Sequence, residues 1–191
     1  MAGDSLLPAL PVLAYLESHL GTPGREWRFQ HDNGALYQVI QFVGQPVSGA
    51  STYASVGLSS RALLRDGVAM RQELLFACYD RFESWGPEKI VAVIARVLMS
   101  QGNALSQGEL LGPAGPLFPD STLEAMYCTT SATFTEPLVV PGLDVPISII
   151  WLLPVTASEA EIVAADGVER FEGLLVQHDR DLLDLQRAGV A

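Results

Sequence analysis

The chain has 191 residues, of which 49% are hydrophobic and 17% are charged, with 11 Lys and Arg against 22 Asp and Glu. This composition predicts one folded domain over residues 1–191 with a large core, and it excludes an intrinsically disordered chain. The net charge of −11 argues against binding to nucleic acid or to an anionic membrane surface, because both carry phosphates that need Lys and Arg. A basic polypeptide is compatible with this charge.

The N-terminal segment and the cysteines indicate where the protein acts. The segment is apolar but lacks the basic residues that open a signal peptide, and Asp4, Pro8 and Pro11 interrupt it. No apolar run is long enough to span a bilayer. Cys78 and Cys128 lie among apolar residues of predicted strands, so we expect buried, reduced thiols. These features predict a cytoplasmic protein.

The predicted elements are short strands interspersed with helices. Strands are assigned where apolar residues alternate or form short runs, and helices where apolar residues recur every three or four positions. Glycine and proline mark the element ends. In chain order the predictions are a helix over 10–20, strands over 36–43 and 52–58, a loop over 59–67, a strand over 70–79, a helix from Pro87 to Gly102, an ordered loop over 105–119, and strands over 123–130 and 147–153.

The strand over 147–153 is the predicted centre of the sheet. Apolar residues occupy both sides of its period-two pattern, which indicates a strand that is covered on both faces. Pro146 and Pro154 bracket the run and predict where the strand starts and stops.

Two capping-box patterns predict two short helices after this strand. Thr156 precedes Glu159 by three residues, and Asp166 precedes Glu169 by the same spacing. The tail, 178–191, has leucines among acidic residues and predicts a further short helix. Together these elements predict an α+β fold in a single domain.

A search for chemical motifs finds one weak arrangement. The three histidines are far apart and lack a Cys or His at ligand spacing, so neither a metal site nor another cofactor is predicted. The segment 57–61 begins like a nucleophile elbow, but Arg61 stands where the closing glycine belongs. A hydrolase would use Ser59, with His31 as base and an acid such as Glu73.

Glu73 is the most informative acidic residue because it lies inside a predicted strand. A buried carboxylate needs a partner, and we expect an ion pair with Arg61 or Arg96. Glu159 and Glu161 are interpreted as charges that face the dipole at a helix N-terminus.

Aromatic residues cluster where the strand over 70–79 ends. Tyr79, Phe82 and Trp85 either close the end of the core or anchor a partner, since aromatic residues serve both purposes. For the second case, Phe82, Glu83 and Trp85 are the candidate partner-binding residues.

Several short motifs follow one another in a fixed order between residues 34 and 177. Each is weak alone, and their order and spacing carry the information. They are TYASVGLS over 52–59, RQEL over 71–74, Trp85 with the helix after it, LSQG over 105–108, and LLPV over 152–155 followed by Glu159, Glu161 and Gly167.

In this order the motifs resemble those of the bacterial type of suppressor-of-fused (SUFU-like) domain proteins. Two positions depart from the family pattern, with Ser55 where threonine is usual and Glu109 where histidine is expected. The resemblance implies an α+β domain with a mixed or antiparallel sheet of about five or more strands and flanking helices. It implies no catalytic residues. Animal members of this family are inhibitors that hold a transcription-factor peptide between two lobes, partly by strand addition. For a bacterial member the resemblance implies an immunity protein that neutralises a toxin.

We draw one main hypothesis and two alternatives from the sequence. The main hypothesis is a cytoplasmic, non-enzymatic protein-binding module, an immunity or inhibitor protein whose partner is a polypeptide such as a basic toxin. The alternatives are a small hydrolase that uses Ser59 and a homodimeric scaffold.

Overall fold

The computed structural model describes residues 9–130, 139–140 and 145–190. Within these residues the chain forms strands and helices that are joined by short turns, including two 3-10 turns. The elements are α1 (Ala9–Leu20), β1 (Glu26–Gln30), β2 (Leu36–Val43), β3 (Ala50–Val56), the turn Leu58–Ser60, β4 (Leu63–Arg65), β5 (Val68–Tyr79), the turn Asp80–Trp85, α2 (Pro87–Gln101), β6 (Leu110–Leu111), β7 (Leu123–Thr129), β8 (Val139–Val140), β9 (Ile147–Thr156), α3 (Ala157–Asp166) and α4 (Val168–His178).

The strands form one mixed sheet of nine strands within the described residues. Its main path runs β1-β2-β3-β5-β9-β7-β6, while β4 pairs with β5 and β8 pairs with β9. The β5–β9 pair is parallel, and each of the other pairs is antiparallel. The sheet therefore ends in β1 on one side and β6 on the other.

Helices cover both faces of this sheet and create two hydrophobic cores. The first core joins one face to α1, α3, α4 and the C-terminal tail. The second core joins the opposite face to α2 and the turn Asp80–Trp85. Alternate residues of β9 enter the two cores, as in Ile149 and Ile150, so the prediction of a strand covered on both faces is confirmed.

The predicted α+β class and mixed sheet are confirmed, and the five predicted strands are β2, β3, β5, β7 and β9. The four strands that the sequence patterns missed are β1, β4, β6 and β8, each of five residues or fewer. Two of them lie inside predicted loops, β4 within 59–67 and β6 within 105–119. Such short strands carry too few alternating positions to stand out.

Pro154 does not end the central strand as predicted. β9 continues to Thr156, and Pro154 lies opposite Met126 of β7. The pairing of β9 with β5 stops at Trp151, so beyond that residue the strand has a neighbour on one side. A proline without an N–H is tolerated at such a position.

The first predicted capping box is present, and the second is wrong. The Thr156 hydroxyl accepts a hydrogen bond from the backbone of Glu159, whose carboxylate accepts one from the backbone of Thr156. α4 instead begins after Gly167 and has no side-chain cap. The Asp166 and Glu169 spacing therefore does not mark a capping box.

The predicted helix in the C-terminal tail is also wrong, because residues 179–190 form turns. The carboxylates of Asp181 and Asp184 each accept a hydrogen bond from the backbone N–H two residues later. Such local bonds compete with a helix for backbone donors. Leu183 and Leu185 are nonetheless buried, so the tail packs against both cores.

Candidate functional site

A buried carboxylate cluster lies where β3, the turn Leu58–Ser60 and β5 meet. Glu73 has no exposed surface. Its Oε1 accepts hydrogen bonds from the backbone N–H of Gly57 at 2.9 Å and of Ser59 at 3.0 Å, and from the Ser59 hydroxyl at 2.6 Å. Its Oε2 accepts one from the Ser55 hydroxyl at 2.5 Å.

These four donors replace the ion pair that was expected for Glu73. Arg61 is exposed, Arg96 lies on α2, and no ion pair to Glu73 occurs in the described part of the chain. Burial raises the pKa of Glu73, while the hydrogen bonds from Ser55, Ser59 and Gly57 act in the opposite direction. The prediction of an arginine partner is therefore wrong, because hydroxyl and backbone donors satisfy the carboxylate.

The cluster holds a turn in place and does not expose a nucleophile. Ser59 has no exposed surface, and its hydroxyl donates to Glu73. His31, the proposed base, is instead within 2.9 Å of the Ser100 hydroxyl. Ser59 is closed to solvent, and it shares no hydrogen bond with His31. This geometry therefore does not support a serine hydrolase.

Hydrogen bonds also join two further sequence motifs to this cluster. The Gln72 side chain donates to the carbonyl of Leu105 at 2.7 Å and accepts from its N–H at 2.8 Å. Arg71 donates to the carbonyl of Ser59. The segments 52–59, 71–74 and 105–108 therefore meet in one buried region whose role is to position the backbone.

Glu159 lies in the first turn of α3, in accord with its interpretation as a charge at a helix N-terminus, and it also belongs to a second buried cluster. Its side chain has no exposed surface and forms two hydrogen bonds with Arg187, of 2.7 and 2.9 Å. Arg187 also donates to the carbonyl of Pro154 at 2.9 Å. Glu161, by contrast, is exposed and lies beyond the first turn of α3. The Glu159 cluster ties the C-terminal tail to the start of α3.

The candidate partner-binding residues Phe82, Glu83 and Trp85 lie in the turn before α2. Phe82 is buried, Trp85 is half-buried, and their ring centres are 4.7 Å apart. Trp85 also stacks on Phe118, and the centres of these two rings are 6.2 Å apart. Glu83 is exposed and pairs with Arg25, whose guanidinium lies over the ring of Trp27 at 5.5 Å. The turn thus closes the end of a core and connects through Arg25 to β1.

Among the described residues, one edge of strand β1 has no neighbouring strand. Its one described partner is β2, and neighbouring bonds from Gln41 to Arg25 and from His31 to Ala35 place the odd-numbered residues of β1 toward β2. In an antiparallel ladder the alternate residues then turn their N–H and C=O groups outward. These outward residues are Glu26, Arg28 and Gln30.

A groove of about 260 Å³ lies between the end of β1 and α2. Phe29 and Tyr37 line its strand side, and their rings are stacked 5.4 Å apart. Val93, which is 51% exposed, lines its helix side. Lys89 and Arg96 also line the groove, and neither forms an ion pair with any residue that the structure describes.

A second groove of about 430 Å³ lies on the other side of α2, against the β4–β5 hairpin. Its exposed apolar residues include Leu64 and Val97, and its polar residues include Arg65 and Glu109. These two charged side chains pair at 2.7 Å. Asp66, the third charged residue of this groove, lies 3.9 Å from Arg65. The charged residues of this groove are therefore paired with one another, in contrast to those of the first groove.

Both cysteines lie within the described part of the chain. Cys78 and Cys128 are free and buried, as predicted, and burial raises the pKa of each thiol to about 12. Among the described residues, no group of three or more His, Cys, Asp and Glu side chains is arranged to hold a metal ion. No helix in the described ranges is both long and apolar enough to cross a bilayer.

Sequence reasoning missed the part of the site that β1 contributes. The signal was present, because Trp27 and Phe29 alternate with Glu26, Arg28 and Gln30, and this alternation is typical of a half-buried strand. Lys89 and Arg96 were recognised as residues of a helix, but their position beside β1 depends on the tertiary fold.

The fold of this chain is similar to that of several solved structures. A SUFU homologue from Neisseria gonorrhoeae has a TM-score of 0.72 at 19% identity, and the match covers 96% of this chain and 97% of that one. A chain of the Sufu–Fu complex has a TM-score of 0.69 at 15% identity, covering 96% and 92%. Drosophila Suppressor of Fused has a TM-score of 0.63 at 16% identity, and this chain covers 51% of its length.

The family model confirms the resemblance that the motifs indicated. The model of the suppressor of fused protein (SUFU) matches residues 35–188, which include every motif from segment 52–59 to Gly167. No match was found among curated proteins. The match spans most of the chain, and the chain therefore belongs to the suppressor of fused (SUFU) family.

Proposed function

We propose that this protein is a binding module for a polypeptide partner, which it inhibits or neutralises as an immunity protein does. The observation that carries the proposal is the unpaired edge of β1 beside exposed apolar residues of α2. A partner segment that adds a strand to this edge satisfies the outward backbone groups of Glu26, Arg28 and Gln30. The relative crystallised in the Sufu–Fu complex supports binding of a protein.

The turn Asp80–Trp85 forms one end of the proposed binding surface. Glu83 and Trp85 are accessible there, and Phe82 holds Trp85 from beneath. The pairing of Glu83 with Arg25 brings this turn next to β1. We therefore retain Phe82, Glu83 and Trp85 as candidate partner-binding residues. The net charge of −11 favours a partner with an overall positive charge, such as a basic toxin. The free thiols of Cys78 and Cys128 are compatible with action in the cytoplasm.

Capture of the tagged protein's partners from lysate of its source cells tests the proposal. We expect one polypeptide to be retained at low salt. Its retention should be weaker at high salt, since salt screens the charges that steer the association. Arg28→Pro removes an outward N–H without removing a bond to β2, and should weaken retention about tenfold. Arg28→Ala is the matched control, because it loses the same side chain and keeps the N–H.

The variants separate strand addition from surface charge. Equal retention by wild type, Arg28→Pro and Arg28→Ala would exclude the β1 edge as the binding site. If Arg28→Pro and Arg28→Ala lost retention of the partner equally, the effect would come from the arginine side chain and not from the backbone N–H. If every retained protein also bound an unrelated acidic control protein, the proposal of a specific partner would be wrong. Inhibition of the captured partner's own activity then tests the immunity role.

A further inference from the structure

The groove between β1 and α2 has a charge opposite to that of the molecule. The chain carries a net charge of −11, yet the groove is lined by Lys89 and Arg96 and by no acidic side chain. Lys89 is exposed, as is Arg96. Five of the other arginines within the described ranges pair with a carboxylate, whereas these two cations do not.

The two cations stand on one side of α2 with an apolar surface between them. They are seven residues apart, which is close to two helical turns or about 10.5 Å along the axis. Val93 lies midway between them, and Phe29 and Tyr37 face it across the groove. Arg96 also interacts electrostatically with Tyr37 across the groove. Burial raises the pKa of Tyr37, and the positive charge of Arg96 opposes this rise.

We infer that this groove recognises an acidic segment of the polypeptide partner, with an apolar side chain over Val93 and a carboxylate beside Lys89 or Arg96. This inference rests on the proposed function, since the segment is the strand that adds to β1. Alternate residues of a strand share a face and stand about 7 Å apart. The recognised pattern is therefore an apolar residue with Asp or Glu two positions away. An acidic segment can belong to a partner whose overall charge is positive.

Selection of a displayed library of random peptides on the purified protein tests the inference. We expect the enriched peptides to contain the apolar and acidic pair at a spacing of two. A synthetic peptide from this set should bind wild type about tenfold more tightly than its Asp→Asn or Glu→Gln analogue. Binding to Lys89→Ala/Arg96→Ala should be equally weak for both peptides, because the cations that distinguish them are gone.

The control variant is Arg61→Ala/Arg170→Ala, which removes two other exposed cations that form no ion pair with a described residue. It changes the net charge by the same amount, and we expect it to keep the preference for the acidic peptide. Enriched peptides without acidic residues would overturn the inference. So would a preference for the acidic peptide that survives in Lys89→Ala/Arg96→Ala.

The outcomes also separate this inference from the proposed function. Peptides that lose binding in Arg28→Pro but are indifferent to Lys89 and Arg96 would refute the acidic segment and support strand addition. A library that yields no binding peptide would count against both. Light scattering that shows a dimer in wild type and a monomer in Arg28→Pro would mean that a second copy occupies the edge, and would also overturn the inference.

Discussion

At the scale of single residues, Glu73 has two opposing influences on its charge. Its burial disfavours the carboxylate, and its four hydrogen bonds favour it. Burial is the larger influence, so the pKa of Glu73 in the folded protein lies above its ordinary value of 4.5. The folded protein therefore retains the Glu73 proton at a pH where the unfolded chain has released it.

This difference predicts a pH dependence of stability that depends on Glu73. The stabilising contribution of the raised pKa is complete below pH 4.5 and is lost as the pH rises through the folded-state value. Relative to Glu73→Gln, the wild-type free energy of unfolding should therefore fall with rising pH, by about 1.4 kcal/mol for each unit of pKa difference. Urea unfolding of both proteins over a pH series measures this change.

Glu161→Gln serves as the control, because Glu161 is exposed. This variant keeps the Glu73 cluster intact, so the fall in stability that depends on Glu73 should persist in it. A stability difference between wild type and Glu73→Gln that stays constant with pH would show that the four hydrogen bonds balance burial, and one that grows in favour of the wild type would show that they outweigh it. Either result would contradict the prediction.

At the scale of elements, the Glu159–Arg187 pair joins α3 to the tail. Both side chains are almost completely buried, at 0% and 3% exposure, so neither charge can turn to water when its partner is removed. Arg187→Met should therefore lower the free energy of unfolding by about 3–5 kcal/mol, as measured by urea unfolding. The double variant Glu159→Gln/Arg187→Met should lose less than the sum of its single changes, because it leaves no unpaired charge.

Arg81→Met is the matched control for this prediction. Arg81 pairs with Asp184 of the same tail at 2.9 Å, but its side chain is 55% exposed, and we expect a loss of less than about 1 kcal/mol. Similar losses for Arg81→Met and Arg187→Met would mean that burial does not set the cost. Additive effects in the double variant would exclude coupling between Glu159 and Arg187.

The elements also show which parts of the fold can be predicted from sequence. Long strands such as β5 and β9 have enough apolar positions to be recognised, and the capping box of α3 is a local pattern. The ion pair of Glu159 with Arg187 spans 28 residues, so no local pattern indicates it. No local pattern indicates the groove either, because β1 and α2 come together only in the tertiary fold. The pairing of β1 with β2 and the hydrogen bond from the Tyr37 hydroxyl to the carbonyl of Ala92 place them side by side. Burial of Glu73 was foreseen, but its partners depend on the path of the turn Leu58–Ser60.

At the scale of the whole molecule, repulsion within the net charge of −11 opposes folding. A folded chain of this length has a radius of gyration of about 16 Å, so many of its charges lie farther apart than the Debye length of about 8 Å at physiological salt. The described surface ion pairs are only 2.5–3.9 Å long. Added salt therefore screens the repulsion more than it screens these pairs.

Raising the sodium chloride concentration from about 0.01 M to about 1 M shortens the Debye length from about 30 Å to about 3 Å, and it should stabilise the protein. We expect about 1 kcal/mol, which corresponds to a rise in Tm of about 3 °C for a chain of this size, measured by scanning calorimetry. Glu161→Gln/Glu169→Gln lowers the net charge from −11 to −9 by neutralising two exposed acids, so its Tm should rise less. An unchanged Tm in high salt would contradict the prediction, and a lower Tm would show that the attraction within ion pairs exceeds the general repulsion. Salt would then weaken the fold as well as the complex with a basic partner, and the salt dependence of capture could not be assigned to binding alone.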